Sequence, residues 1–183
     1  MSWKYLVLTG AAAVAAACGA RAPDESLIAA EKPLRVQSVA FGEGGSMPTR
    51  YTFDGANVSP PLSWTAGPRD TVTYALVMDD SAAPGGFVNW VIWNIPSSQL
   101  EEDVRPMPVL PSGAVQGKNS SARTGYSGPQ PAVGTTHTYF IRVFALDTRL
   151  DLPPSANRDL LDAAMRGHVI AQGRLSVRYA RTR

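Results

Sequence analysis

Cysteine is nearly absent: the 183-residue chain has one, Cys18. No disulfide can form within the chain, so its stability has to come from packing. Histidine is also scarce, at two residues. With no usable cysteine beside them, these make no convincing metal-ligand set, and neither a metal nor a cofactor is expected. Charge is low and balanced, with 17 basic against 15 acidic residues and a formal net charge of +2. Lys and Arg are dispersed and form no stripe of the kind that tracks a nucleic-acid backbone, so nucleic acid is excluded as the expected partner. No repeat period is evident. The apolar run Tyr5–Ala17 falls short of the roughly 20 residues that a membrane-spanning helix needs.

What the chain has in quantity is turn-formers, 15 Pro and 16 Gly. They favour many short strands over long helices. At the N-terminus, Lys4 precedes the run Tyr5–Ala17, which has the length of a signal-peptide core. Ala15, Ala16 and Ala17 then precede Cys18, a pattern that resembles a bacterial lipobox, although position 15 is Ala where Leu is more usual. On this reading residues 1–17 are a lipoprotein-type signal peptide and Cys18 is lipidated. Residues 18–33 are a Pro- and Ala-rich tether, and 34–183 form a single domain. The alternative is ordinary signal cleavage. Each buried methylene of an acyl chain adds about 0.8 kcal/mol, so two or three chains would hold the domain to a membrane. Gly19, with no Asp after the Cys, points to the outer membrane on its periplasmic side.

In the rest of the chain the densest apolar segments are Thr71–Asp79, Phe87–Ile95 and His137–Leu146, rich in Val, Ile and Trp. The last is apolar on both faces, as in a strand covered on both sides. Further strands are expected at Leu34–Phe41, Arg50–Phe53 and Leu175–Tyr179. A helix is expected at Ser155–Arg166, capped by Asn157 or Ser155 and closed by Gly167, with a second helical turn around His168–Ala171. Leu100–Val104 has room for one turn. The Gly, Ser and Pro of 113–136 argue against a regular element, and a loop that long is usually functional or disordered. Trp64, Trp90 and Trp93 are expected in the core, Asp79 as a turn cap, and His168 as a helix-end residue.

Four stretches stand out: DGANVSPPLSW at 54–64, MDDSAAPGGFVNWVIWNIP at 78–96, GYSGPQPAVGTTHTYFIRVFALD at 125–147, and AMRGHVIAQGRLSVRYAR at 164–181. In this order they resemble the phosphatidylethanolamine-binding protein family, also called the Raf kinase inhibitor protein family, and its bacterial branch most closely. The resemblance runs from about Val36 to Arg181. It implies a mainly β fold, a Greek-key β-sandwich with one or two short C-terminal helices. It also implies a small anion pocket at one end of the sheet, with Asp80 as the pocket carboxylate, Gly128 and Pro129 in the closing loop, and His137 and Tyr139 as ring donors. Three positions depart from the pattern. Ser81 and Ala82 stand where the family has Pro and a second Asp, and Asn89 stands in place of a second pocket histidine. Asn89 can still donate through its amide but cannot carry charge.

The residue chemistry agrees in part. His137 and Tyr139 are two apart on a strand and so share a face. Both can donate to an anion, as can loop backbone N–H groups. Asp80 would repel a bare anion unless it orients a histidine or binds an ammonium group. Three functions follow: a non-catalytic module binding a small anion or phospholipid head group, a protein-interaction or inhibitor module, and, last, a hydrolase built on Ser127, His137 and Asp80. No nucleophile-elbow motif frames Ser127.

Overall fold

A computed structural model describes residues 33–83 and 85–182. The expected signal peptide 1–17, nearly all of the expected tether 18–33, and Cys18 lie outside the described residues. The described residues form two sheets. The small one joins β1 (Val36–Gln37), β3 (Leu62–Trp64) and β6 (Gln99–Leu100) in the order β1-β3-β6, all antiparallel. The large one adds β2 (Gly45–Ser46), β4 (Thr73–Asp80), β5 (Phe87–Ile95), β7 (Val115–Gln116), β8 (Thr136–Leu146) and β9 (Val169–Ala180). Its order is β2-β9-β8-β4-β5-β7, antiparallel except for the β2–β9 edge. One helix, α1 (Arg158–Met165), is present among the described residues.

The large sheet is covered on both faces, which explains its unbroken apolar strands. Alternate residues of β4, β5 and β8 (Leu76, Met78, Trp90, Ile92, Ile141, Val143) pack toward Val36, Leu62 and Trp64 of the small sheet. Their neighbours Ala75, Val77, Val91, Trp93 and Phe144 pack against Leu161 and Met165 of α1. Trp64, Trp90 and Trp93 are all in the core, as expected. The helix is shorter than the expected Ser155–Arg166 but is capped as expected. The Asn157 side chain accepts from the N–H of Leu160, and Gly167 turns the chain at φ 78°.

Several local expectations are corrected. Arg50–Phe53 is not a strand. Thr49–Tyr51 is a 3-10 turn after Pro48, and the Thr52 hydroxyl closes it on the Thr49 carbonyl. Of Leu34–Phe41 only Val36–Gln37 is strand, and at Ser38 the hydroxyl turns onto the Pro61 carbonyl. The residues after Gly167 form no second helical turn. β9 starts at Val169 and pairs along the whole of β8. Gln99–Leu100 is a strand, so no helical turn starts at Leu100. The loop 113–136 does hold a regular element, β7, which pairs with β5. Composition hid it because its partner lies far away in sequence and its anchor is polar. The buried Gln116 accepts from Trp90 Nε1 at 2.9 Å and donates to the carbonyls of Arg105 and Met107 at 2.6 and 2.9 Å.

Gln116→Leu keeps the volume but leaves the Trp90 N–H and the Met107 carbonyl without partners, while the Arg105 carbonyl keeps the Met107 N–H. At about 1–3 kcal/mol for each buried orphan, urea unfolding is expected to show a loss of several kcal/mol with an unchanged m-value.

Candidate functional site

The C-terminal end of β4, the start of β8 and the end of β9 lie side by side. Asp80 is paired with Tyr139, and His137 with Tyr179. By strand alternation, His137 and Tyr139 share the inner face with Ile141. Asp80 is 5 % exposed, and each of its oxygens has work. Oδ1 accepts from the N–H groups of Ala82 and Ala83 at 3.0 and 3.2 Å, closing the turn after β4. Oδ2 lies 2.7 Å from Nδ1 of His137. An ionised carboxylate only accepts, so Nδ1 carries the proton and the ring is fixed in one tautomer. The ring makes no other hydrogen bond among the described residues, and Nε2 is not buried.

Tyr139 is 1 % exposed, and its buried hydroxyl has no well-formed hydrogen-bond partner among the described residues. Burial raises its pKa above the ordinary tyrosine value, and the nearby Asp80 carboxylate adds to the rise, while the Gln130 backbone acts in the opposite direction. Tyr126 is also pushed up, chiefly by burial.

The loop 126–131 forms a wall stitched down on two sides. Toward β5, Asn89 Nδ2 donates to the Ser127 carbonyl at 2.8 Å, and the Ser127 N–H returns to the Asn89 carbonyl at 2.9 Å. Toward residues 51–57, the Gly128 N–H donates to Asn57 Oδ1 at 2.7 Å, the Tyr126 hydroxyl donates to the Tyr51 carbonyl, and Pro129 O accepts from the Phe53 N–H at 3.1 Å. Gly128 must be glycine at this close approach, since a Cβ there would stand 2.5 Å from the Tyr51 carbonyl oxygen. The structure therefore brings Asp80, His137 and Tyr139 together and places Gly128 and Pro129 in the adjoining wall. The donors of Asn89 and Gly128 are committed to holding that wall. Only Oδ1 of the Asn89 side chain is left without a partner.

Asp79, expected as a turn cap, lies within β4. It faces the other side of the sheet, where it pairs with Arg142 and, at 3.0 Å, with Arg158 of α1. His168 follows the helix and pairs with Asp147 at 2.9 Å. Ser127 shows no hydrogen bond to His137; its backbone serves Asn89. No cluster of side chains suited to a metal occurs among the described residues. A separate groove of about 340 Å³, lined by Ile95, Leu100, Val104, Met107 and Leu110 among others, includes none of the site residues.

The family profile described as phosphatidylethanolamine-binding protein matches residues 37–180. The chain belongs to the phosphatidylethanolamine-binding protein family. Among curated members of the family it is similar to the UPF0098 protein of Methanothermobacter thermautotrophicus, at 46% identity over 151 residues, covering 81% of this chain and 99% of that one. A Mycobacterium tuberculosis relative named "Putative lipoprotein LppC" is 39% identical over 130 residues, covering 69% of this chain and 62% of its own. Among solved structures, Escherichia coli YbcL superposes with a TM-score of 0.76 at 29% identity, covering 81% of this chain and 99% of that one. The mainly β, two-sheet architecture with one short helix is thus that of the family.

Below pH 10.0, the ordinary tyrosine value, Tyr139 is neutral in folded and unfolded chains alike. Above it the unfolded chain ionises first, so stability is lost as pH rises from there through the raised folded value. Tyr139→Phe is expected to raise stability at pH 7 by about 1–3 kcal/mol, since it removes a buried hydroxyl that has no partner. It should also flatten the alkaline decline, as read by denaturant melts between pH 8 and pH 11.

Proposed function

We propose that the domain is a non-catalytic binding module whose Asp80–His137 site takes a small anion or a phospho head group. The observation that carries this reading is the buried, unpartnered hydroxyl of Tyr139 beside a histidine ring held by a buried carboxylate. A buried polar group without a partner costs about 1–3 kcal/mol, and a ligand oxygen bonded to the hydroxyl would remove that cost. His137 supplies the second donor when its Nε2 is protonated, and Asp80 keeps the ring aimed. The family's name points to the same chemistry. Hydrolysis is disfavoured because Ser127 makes no hydrogen bond to His137. The protein-interaction reading is the outcome to pursue if no small ligand binds.

The test is a thermal-shift titration with phosphate and phosphoethanolamine, beside His137→Ala. Stabilisation should follow mass action, reaching about 2.7 kcal/mol at a hundredfold excess over Kd, and should vanish in the variant. No stabilisation at millimolar ligand would end the small-anion reading.

We also infer that Cys18 is acylated and holds the domain at the bacterial outer membrane, facing the periplasm. The support is the Ala15-Ala16-Ala17-Cys18 pattern and the LppC name. Expressed in a bacterial host, the protein should partition with membranes and carry acyl mass on residue 18. Cys18→Ser should abolish both.

A further inference from the structure

Asp54 belongs to the turn after Tyr51, far from Asp80 and His137 in sequence. In the fold it stands at the same end of the sheet. Its Oδ2 accepts from the Tyr179 hydroxyl at 2.9 Å, and its Oδ1 pairs with Arg181 Nη2 at 2.9 Å. Tyr179 is the residue directly across from His137 on β9. Arg181 ties into the loop that leads to His137. Its N–H donates to the Thr135 carbonyl at 3.0 Å, its carbonyl accepts from the Gly134 N–H at 2.7 Å, and Nη1 reaches the Pro131 carbonyl at 3.4 Å. The residue before Asp54 is Phe53, which already grips Pro129. One carboxylate thus gathers the end of β9 and the loop 129–135 onto the turn 51–57.

We propose that Asp54 is a positioning residue of the binding site. Through Tyr179 and Arg181 it fixes the wall beside His137, and as one half of an ion pair it holds the charge near that ring balanced. This rests on the anion reading of the Asp80–His137 site. The titratable and charged groups on the elements around the ring are Asp80 on β4, Tyr139 on β8, Tyr179 on β9, Arg181 just beyond β9, and Asp54 on the turn. Of these, Asp54 and Arg181 cancel each other, so removing either leaves one uncompensated charge near His137.

The test uses the full chain and follows the His137 ring by NMR against pH, its signal identified by loss of the other in His168→Gln. Asp54→Asn leaves Arg181 unbalanced and should lower the His137 midpoint by about half a pH unit; Arg181→Gln leaves Asp54 unbalanced and should raise it by a similar amount. The double variant should return close to the native value. A role limited to folding would not produce opposite shifts that cancel. Both single variants should weaken binding of inorganic phosphate roughly tenfold, because each loosens the wall. Tyr179→Phe, which keeps the ion pair, should weaken phosphate binding and leave the midpoint in place. If Asp54→Asn does not fold, Arg181→Gln still reads the upward shift. Unmoved or same-sign midpoints in the single variants overturn the proposal. Opposite shifts in a protein that binds no phosphate would sink the anion reading and leave the assignment of Asp54 standing.

Discussion

Asp80 bonds two separate pieces of the chain at once. One oxygen closes the turn that ends β4, and the other holds the His137 ring at the start of β8. Because the carboxylate is buried, losing either set of partners would leave a charge in a poorly solvating environment, which proteins rarely tolerate. The turn, the ring orientation and the strand ends are therefore tied to one another. The aim of His137 is a consequence of how β4 stops.

That arrangement needs a rigid platform. The large sheet supplies it through burial on both faces, between the small sheet on one side and α1 on the other. Neighbouring residues Asp79 and Asp80 show the division. Alternation sends Asp79 to the helix side, where two arginines pair with it, and Asp80 to the site side, where it holds the His137 ring and two backbone N–H groups. Two chemically identical side chains, adjacent in sequence, serve helix packing on one face and the candidate site on the other.

The rim of the site is built differently. Backbone groups of Ser127, Gly128 and Pro129 are held by Asn89, Asn57 and Phe53, while Tyr126 packs edge-on to Trp90 and Pro129 is buried. Hydrogen bonds to a loop are directional and individually modest, so several are used together. Substituting asparagine for the histidine expected at position 89 fits this role, since an amide offers a donor to the wall and an acceptor on the other side. The charge a histidine would bring is not available there.

The strand runs Phe87–Ile95 and His137–Leu146, the Asn157 cap and the shared face of His137 and Tyr139 were legible in the amino-acid order. Each is a local matter of periodicity or capping. The four-block resemblance pointed to Asp80 and to the Gly128–Pro129 wall. Hidden were the roles that depend on partners distant in the chain. β7 exists because Gln116 meets Trp90, Tyr139 is left without a partner by the packing around it, and Asp54 reaches Tyr179 across 125 positions. Local order determines backbone preference and which side of a strand a residue faces. Which donor meets which acceptor at the sheet's end is decided only when the sheets close over one another.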